Sequence, residues 1–328
     1  MAPLDLFTLD RTDNPLRFSW RPSSNLLTPA YTLQGGAGLG AATAALTAVT
    51  GRTVIWATAQ YLSFASGLDP LDIEVTVEVA GHNTTQARCV VSRHGVEVLT
   101  AHAALGSRPL GFEAVWCRPP AVAAPEACPH YRFFERGKAH LGEIVEMRLA
   151  HGKQLDQLTG QRGDGSFALW IRVGRGTRQM TVPELAFIGD FMPLGYADAL
   201  GEPFAGNSLD NTIRVGHLVE TEWVLLAVQV QQVVNGFGYG RAELWAQDGT
   251  LLGEVSQNSV MRIHRHIREK AERTPDLTQL DLTQLDLTQL DLTQLDLTQL
   301  DLTQLDLTQA SVRLRAAKLQ RIQSSRDK

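Results

Sequence analysis

The chain has little that would tie it together covalently. Its three cysteines, Cys89, Cys117 and Cys128, are odd in number and widely spaced. That arrangement suits neither a disulfide framework nor a Cys-x-x-Cys metal site, and it points to a reducing compartment. Positive charge is not in excess, since 30 Lys and Arg stand against 35 Asp and Glu for a formal net charge of −5. Nothing basic is offered to a phosphate backbone, so nucleic acid is not an expected partner. Long apolar runs are also missing: the longest, around Ala41 to Val49, is too short to span a bilayer, and the N-terminal Met-Ala-Pro-Leu-Asp-Leu-Phe lacks the basic stretch and apolar core of a secretory signal. A cytoplasmic protein without membrane contact is expected. Gly-x-Ser-x-Gly does not occur, which removes the nucleophile elbow of the serine hydrolases. His264-Arg-His266 follows the last expected strand and has no Cys partner, so no metal site is expected there.

What is present is a helix followed by strands, twice. Residues 35–51 are small and apolar, open on Gly35-Gly36 and close on Gly51, as a closely wrapped helix with a glycine stop would. Gly36-x-Gly38-x-x-Ala41 loosely fits a dinucleotide fingerprint, but that motif needs an acid about 20 residues on, where Trp56 stands. Asp13-Asn14-Pro15 is read as a turn. Strands are expected at 53–64, 72–79, 86–93 and 97–105, with His94-Gly95 turning between the last two. A Pro- and Ala-rich stretch, centred on 118–129, follows as an extended linker. Two more strands, near 144–149 and 168–173, lead to a helix that Thr181-x-Pro183-Glu184 opens and that runs to about Leu200. From Asn207 to Arg262 come four segments rich in β-branched and aromatic residues, with Asp248-Gly249 turning before the last, which reads as an antiparallel meander. Domains are therefore expected at 1–110 and 131–270, joined by 111–130.

Residues 276–309 hold seven copies of Asp-Leu-Thr-Gln separated by Leu. A five-residue period drifts around a helix and alternates faces on a strand, so neither element buries a constant Leu stripe. The Asp-Leu-Thr core resembles the pentapeptide-repeat family, yet seven units make fewer than two coils of a β-helix. Residues 271–328, ending in the basic stretch from Ser311, are expected to be a flexible tail.

Several segments carry a resemblance. Trp56-Ala-Thr-Ala-Gln-Tyr-Leu-Ser-Phe-Ala, Ser208-Leu-Asp-Asn-Thr-Ile-Arg, Gly236-Phe-Gly-Tyr-Gly-Arg, Leu244-Trp-x-x-Asp-Gly-x-Leu-Leu and Ser256-Gln257 look like the thioesterase-like family related to acyl-CoA thioesterase II. The resemblance covers about residues 15–265 and implies an α+β double hotdog, two antiparallel sheets each wrapped around a central helix. It implies hydrolysis of an acyl-CoA to free acid and CoA, without metal or cofactor, by a water that an Asp, a Gln and a hydroxyl orient. Asp210 and Gln257 match the first two, and by register Gln231 stands where the family has Ser or Thr. A thioester is activated enough for a carboxylate-polarised water to attack it directly. Gly35 and Gly36, at a helix N-terminus, could present backbone N–H groups to the substrate oxyanion, and Gln60 is a further binding candidate. The amide at Gln231 keeps open an alternative, a hotdog protein that binds acyl-thioesters without hydrolysing them. Exposed sheet edges would permit pairing into a homo-oligomer.

Removing the residues after about Glu272 is expected to leave the melting temperature and turnover unchanged. A large drop in either, by thermal scan or activity assay, would show that the tail docks on the body.

Overall fold

The computed structural model describes residues 6–133 and 141–263. The repeat tail and His264-Arg-His266 lie outside them. The elements in the first half are β1 (Asp10–Arg11), β2 (Arg17–Trp20), α1 (Gly35–Thr50), β3 (Val54–Tyr61), β4 (Leu71–Ala80), β5 (Thr84–Arg93) and β6 (Val96–Gly106). The second half carries α2 (Leu141–Ile144), β7 (Val145–His151), β8 (Ser166–Val173), β9 (Arg178–Gln179), α3 (Val182–Gly189), α4 (Leu194–Leu200) and β10 (Phe204–Ser208). It closes with β11 (Asp210–Val215), β12 (Glu220–Thr221), β13 (Val224–Val234), β14 (Phe237–Ala246) and β15 (Leu251–Ile263).

The strands of the two halves join in one sheet rather than forming a sheet each, and only β9 and β12 pair apart from it. One 13-stranded antiparallel sheet runs in the order β1-β2-β4-β5-β6-β3-β11-β15-β14-β13-β8-β7, with β10 also on β15. The seam between the halves is the pairing of β3 with β11, in which Asp210 faces Gln60 and Thr212 faces Thr58. A 2.7 Å hydrogen bond between the Thr58 and Thr212 hydroxyls crosses it. The expected meander is also modified: β13, β14 and β15 are sequential neighbours, but β11 lies beyond β15 and serves as the bridge to the first half.

Local chemistry explains the element ends. Gly51, at φ 65°, stops α1 in the left-handed region, and Gln34 caps its start by accepting from the Ala37 N–H at 2.8 Å. His94 and Gly95, at φ 51° and 77°, make the tight primed turn that a two-residue hairpin needs. The single helix expected from Thr181 to Leu200 is two helices. Thr181 and Glu184 form the capping box of α3, and Pro193 sits at the N-cap of α4 after the break at Asp190–Met192. Proline forces that break because it has no N–H to continue the α3 ladder and disfavours a helical residue before it. The break leaves the Asp190 side chain at the helix end, free to point away from the axis.

α1 packs on β3, β4, β5 and β6, while α3 and α4 pack on strands of the second half. The helices meet each other through small residues. A Cβ on Gly36 would lie 2.3 Å from the Ala186 carbonyl oxygen, and one on Gly40 would lie 2.8 Å from that of Pro183. Leu39, Leu46, Ile73, Leu185, Phe187 and Leu226 contribute to one core that spans both halves. A second apolar cluster, Trp170, Trp223, Leu225 and Trp245, covers the other face of the second half. Both faces of β13 are consequently buried at Val224 to Leu226, rather than one. The expected linker lies against that second cluster: Val122 packs there, and the Trp170 indole N–H donates to the Ala123 carbonyl at 2.9 Å.

The two terminal strands of the sheet are short or covered. β1 has two residues, and the outer edge of β7 is met by backbone bonds from Tyr131 N–H to Met147 and from Leu149 N–H to Pro129. β2 covers β4 only as far as Glu74 and β8 covers β13 only as far as Gln229, so the far ends of both strands keep an open edge. Among the described residues no helix is long and apolar enough to cross a membrane.

Gly36→Ala should destabilise the protein by about 1–3 kcal/mol, the usual cost of overpacking, despite alanine's better helix propensity. Chemical denaturation measures it, and a neutral or stabilised variant would contradict the close helix contact.

Candidate active site

The site forms where the seam, the end of β15 and the start of α1 converge. Between the pairs Ser208–Ser259 and Thr212–Ser256, three residues of the β10–β11 strand face two of β15, which is a β-bulge. A bulge leaves part of the ladder unmade, and Asp210 supplies the missing acceptor. Its Oδ1 accepts from the Asn258 backbone N–H at 2.8 Å and from Asn258 Nδ2 at 3.0 Å. Its Oδ2 accepts no hydrogen bond from any described residue.

Gln257, one residue along β15, is 1% exposed. Its Nε2 donates to Asp190 Oδ1 at 2.8 Å and to Ser208 Oγ at 2.6 Å. Its Oε1 is buried without a protein partner, as is Oδ1 of Asn211. Asp190 also accepts the Gly36 N–H on Oδ2 at 2.8 Å and Asn211 Nδ2 on Oδ1 at 3.3 Å. Burial lifts its carboxyl to about 6, against hydrogen bonds from Gly36, Gln257, Asn211 and Gly35 that pull the other way. The carboxylate thus sits at the positive end of α1 and is held from three elements.

Tyr61 completes the enclosure. A Cβ on Gly35 would lie 3.1 Å from Tyr61 Oη and 3.3 Å from Asp190 Oδ2, so the glycine is wedged between them. Burial, then the Asp190 charge, raises the Tyr61 pKa well above its ordinary value; Asn211 is near enough to oppose this slightly, but it does not meet the buried Oη in hydrogen-bond geometry. Tyr61 is therefore a protonated phenol throughout the neutral range. Behind Gln257, the Tyr196 hydroxyl donates to the Gln257 carbonyl at 3.2 Å. Gly238 and Gly240 make room for that side chain, since a Cβ on Gly238 would lie 3.0 Å from its ring and one on Gly240 3.4 Å from its hydroxyl.

The residues singled out in the sequence are not equally close. Asp210 and Gln257 lie on adjacent strands, one residue out of register, and no hydrogen bond joins them. Gly35 and Gly36 are at the site, but the Gly36 N–H is engaged by Asp190. Gln60 pairs with Asp210 across the seam and its side chain is exposed. Gln231 falls in a second bulge, between Val230 and Gln232, where it is exposed and makes no hydrogen bond. The row through Val230 and Gly240 reaches Gln257, so β14 separates Gln231 from it. Asp190, Asn211, Ser208 and Tyr61 are site residues that the sequence reading did not single out. The Asp before Phe-Met-Pro, at a break in an apolar helix, was the available signal for Asp190. Among the described residues no group of three or more His, Cys, Asp or Glu could hold a metal ion.

Comparison with known proteins gives the class. Residues 125–261 match the family model of the acyl-CoA thioesterase C-terminal domain. A protein provisionally assigned as a thioesterase from Novosphingobium aromaticivorans DSM 12444 superposes with a TM-score of 0.67 at 27% identity, over 77% of this chain and 97% of that one. A hot dog fold protein of unknown function from Alicyclobacillus acidocaldarius gives a TM-score of 0.69 at 19% identity, over 79% and 97%. Acyl-CoA thioesterase II TesB2 from Mycobacterium marinum gives 0.63 at 18%, over 79% and 97%. No curated protein matches the sequence. The hotdog fold and the matched domain define a thioester hydrolase. Within that class the chain is similar to thioesterase II proteins.

Folding takes up a proton at Asp190 in the window between its ordinary value of 3.8 and about 6. A raised carboxyl contributes stability that is complete below the lower value and lost as pH rises through the upper one. Relative to wild type, the melting temperature of Asp190→Asn should therefore improve as pH rises from about 4 to about 7. Thermal scans of both proteins measure this, and a pH-independent difference would contradict it.

Proposed function

We propose that the protein is a double hotdog that hydrolyses an acyl-CoA thioester to free acid and CoA by direct attack of water, with Asp210 as general base. The observation that carries this reading is the pair of unfilled acceptors on neighbouring strands. Gln257 Oε1 is buried without a protein partner, and Asp210 Oδ2 is left over after Oδ1 has capped the bulge. An unpaired buried acceptor is costly, and a water donating one hydrogen to each would satisfy both while aiming its lone pair outward. The Asp210 carboxylate takes the proton as the water oxygen bonds to the acyl carbon. Collapse of the tetrahedral oxyanion then breaks the C–S bond, and the CoA thiolate leaves with the proton that Asp210 returns, which regenerates the carboxylate.

The oxyanion needs a donor other than Gly36, whose N–H is taken. Tyr61 Oη, protonated and without a protein partner, suits that role at the same helix end. A second reading, acyl-thioester binding without turnover, is favoured by Gln231. An exposed amide at a bulge gives the site no hydroxyl of the kind the family resemblance calls for.

Release of CoA thiol, read with a thiol dye over acyl-CoAs from short to long, separates the readings. Turnover is expected, and Asp210→Asn should lower kcat by about 10²- to 10⁴-fold with little change in KM. Binding without thiol release would support the second reading, and near-wild-type turnover in Asp210→Asn would remove the base.

A further inference from the structure

We infer that Asp190 is the positioning residue of this site: it fixes which end of the Gln257 amide faces the substrate. The inference rests on the water-attack reading, because it explains how Gln257 comes to offer an acceptor there. The two ends of a glutamine amide are nearly equal in shape, so only their partners decide the orientation. Ser208 cannot decide it, since a hydroxyl gives or accepts equally well. A carboxylate can only accept. With Asp190 Oδ1 2.8 Å from Gln257 Nε2, the flipped amide would set its own oxygen against an anion.

Ser208 Oγ, at 2.6 Å, then takes the other amide hydrogen, and Oε1 is the one atom of the amide left without a protein partner. Asp190 can act in this way because it is fixed from elsewhere. The Gly36 N–H of α1 holds Oδ2, Asn211 of β11 reaches Oδ1, and the close contact of Gly36 with Ala186 sets the distance between α1 and α3. The titratable groups around this cluster are Tyr61 from β3, beside Asp190, Asp210 from β11, whose charge also reaches Tyr61, and Tyr196 from α4, behind Gln257. None of them donates to the Asp190 carboxylate, whose described donors are all amides.

The role is tested on the full chain labelled with 15N-glutamine, with the Gln257 side-chain signals assigned by their loss in Gln257→Glu. In wild type those signals should titrate with a midpoint of about 6 and should still do so in Asp210→Asn. In Asp190→Asn the titration should vanish, and kcat should fall by about 10²-fold with KM within about twofold, as for a misplaced but uncharged group. Ser208→Ala, which keeps the carboxylate, should retain the titration and lose less activity, so it supplies a test even if Asp190→Asn folds poorly. Gln257 signals indifferent to pH in wild type and Ser208→Ala, or wild-type kcat in a folded Asp190→Asn, would overturn the role. Wild-type turnover in Asp210→Asn overturns only the water-attack reading, since the Gln257 titration is read without turnover.

Discussion

The contact on which the rest of the molecule depends is the close approach of α1 to α3. It is permitted by the absence of a side chain at Gly36, where even a methyl group would meet the Ala186 carbonyl. The approach brings a helix N-terminus against a helix C-terminus, so the amides of one can hold the carboxylate that ends the other. Gln34 adds a second tie, its Nε2 donating to the Phe187 carbonyl at 3.1 Å. With the helices fixed in this way, β3 and β11 can pair as one ladder, and the site is assembled from both halves of the chain.

A buried carboxylate is a cost that the fold retains. Desolvation raises the Asp190 pKa despite its hydrogen bonds, so the ionised form is tolerated rather than favoured. Groups of this kind concentrate where chemistry needs them, at some expense in stability. The Tyr61 phenol beside it is driven the same way, by burial and then by the Asp190 charge. The cluster therefore holds a near-neutral acid, a firmly protonated phenol and an unpaired amide oxygen within one enclosure.

Much of this was legible in the sequence wherever local chemistry decides structure. α1 ends at the glycine expected to stop it, and β3 to β6 appear within a few residues of their predicted bounds, because caps, turns and alternation act over short range. The break in the second helix was missed although Pro193 announces it, because the apolar run on either side outweighed the proline. The continuous sheet was not legible either, since the β3–β11 pairing joins residues about 150 apart that carry no mutual signal. At the site, Asp210 and Gln257 could be read from a family resemblance, whereas Asp190 is defined by a packing distance between two helices. Counting strand positions brought Gln231 toward the water, but a bulge adds a residue that no count foresees.

In the proposed reaction an acyl-thioester lies at this seam, with its carbonyl carbon facing the acceptors of Gln257 and Asp210. A crystal structure with a non-hydrolysable acyl-CoA thioether tests it most directly. The expected result is a water bonded to Gln257 Oε1 and Asp210 Oδ2, about 3–3.5 Å from the atom that replaces the carbonyl carbon. An acyl group bound away from the seam, with neither acceptor within reach of that atom, would contradict it.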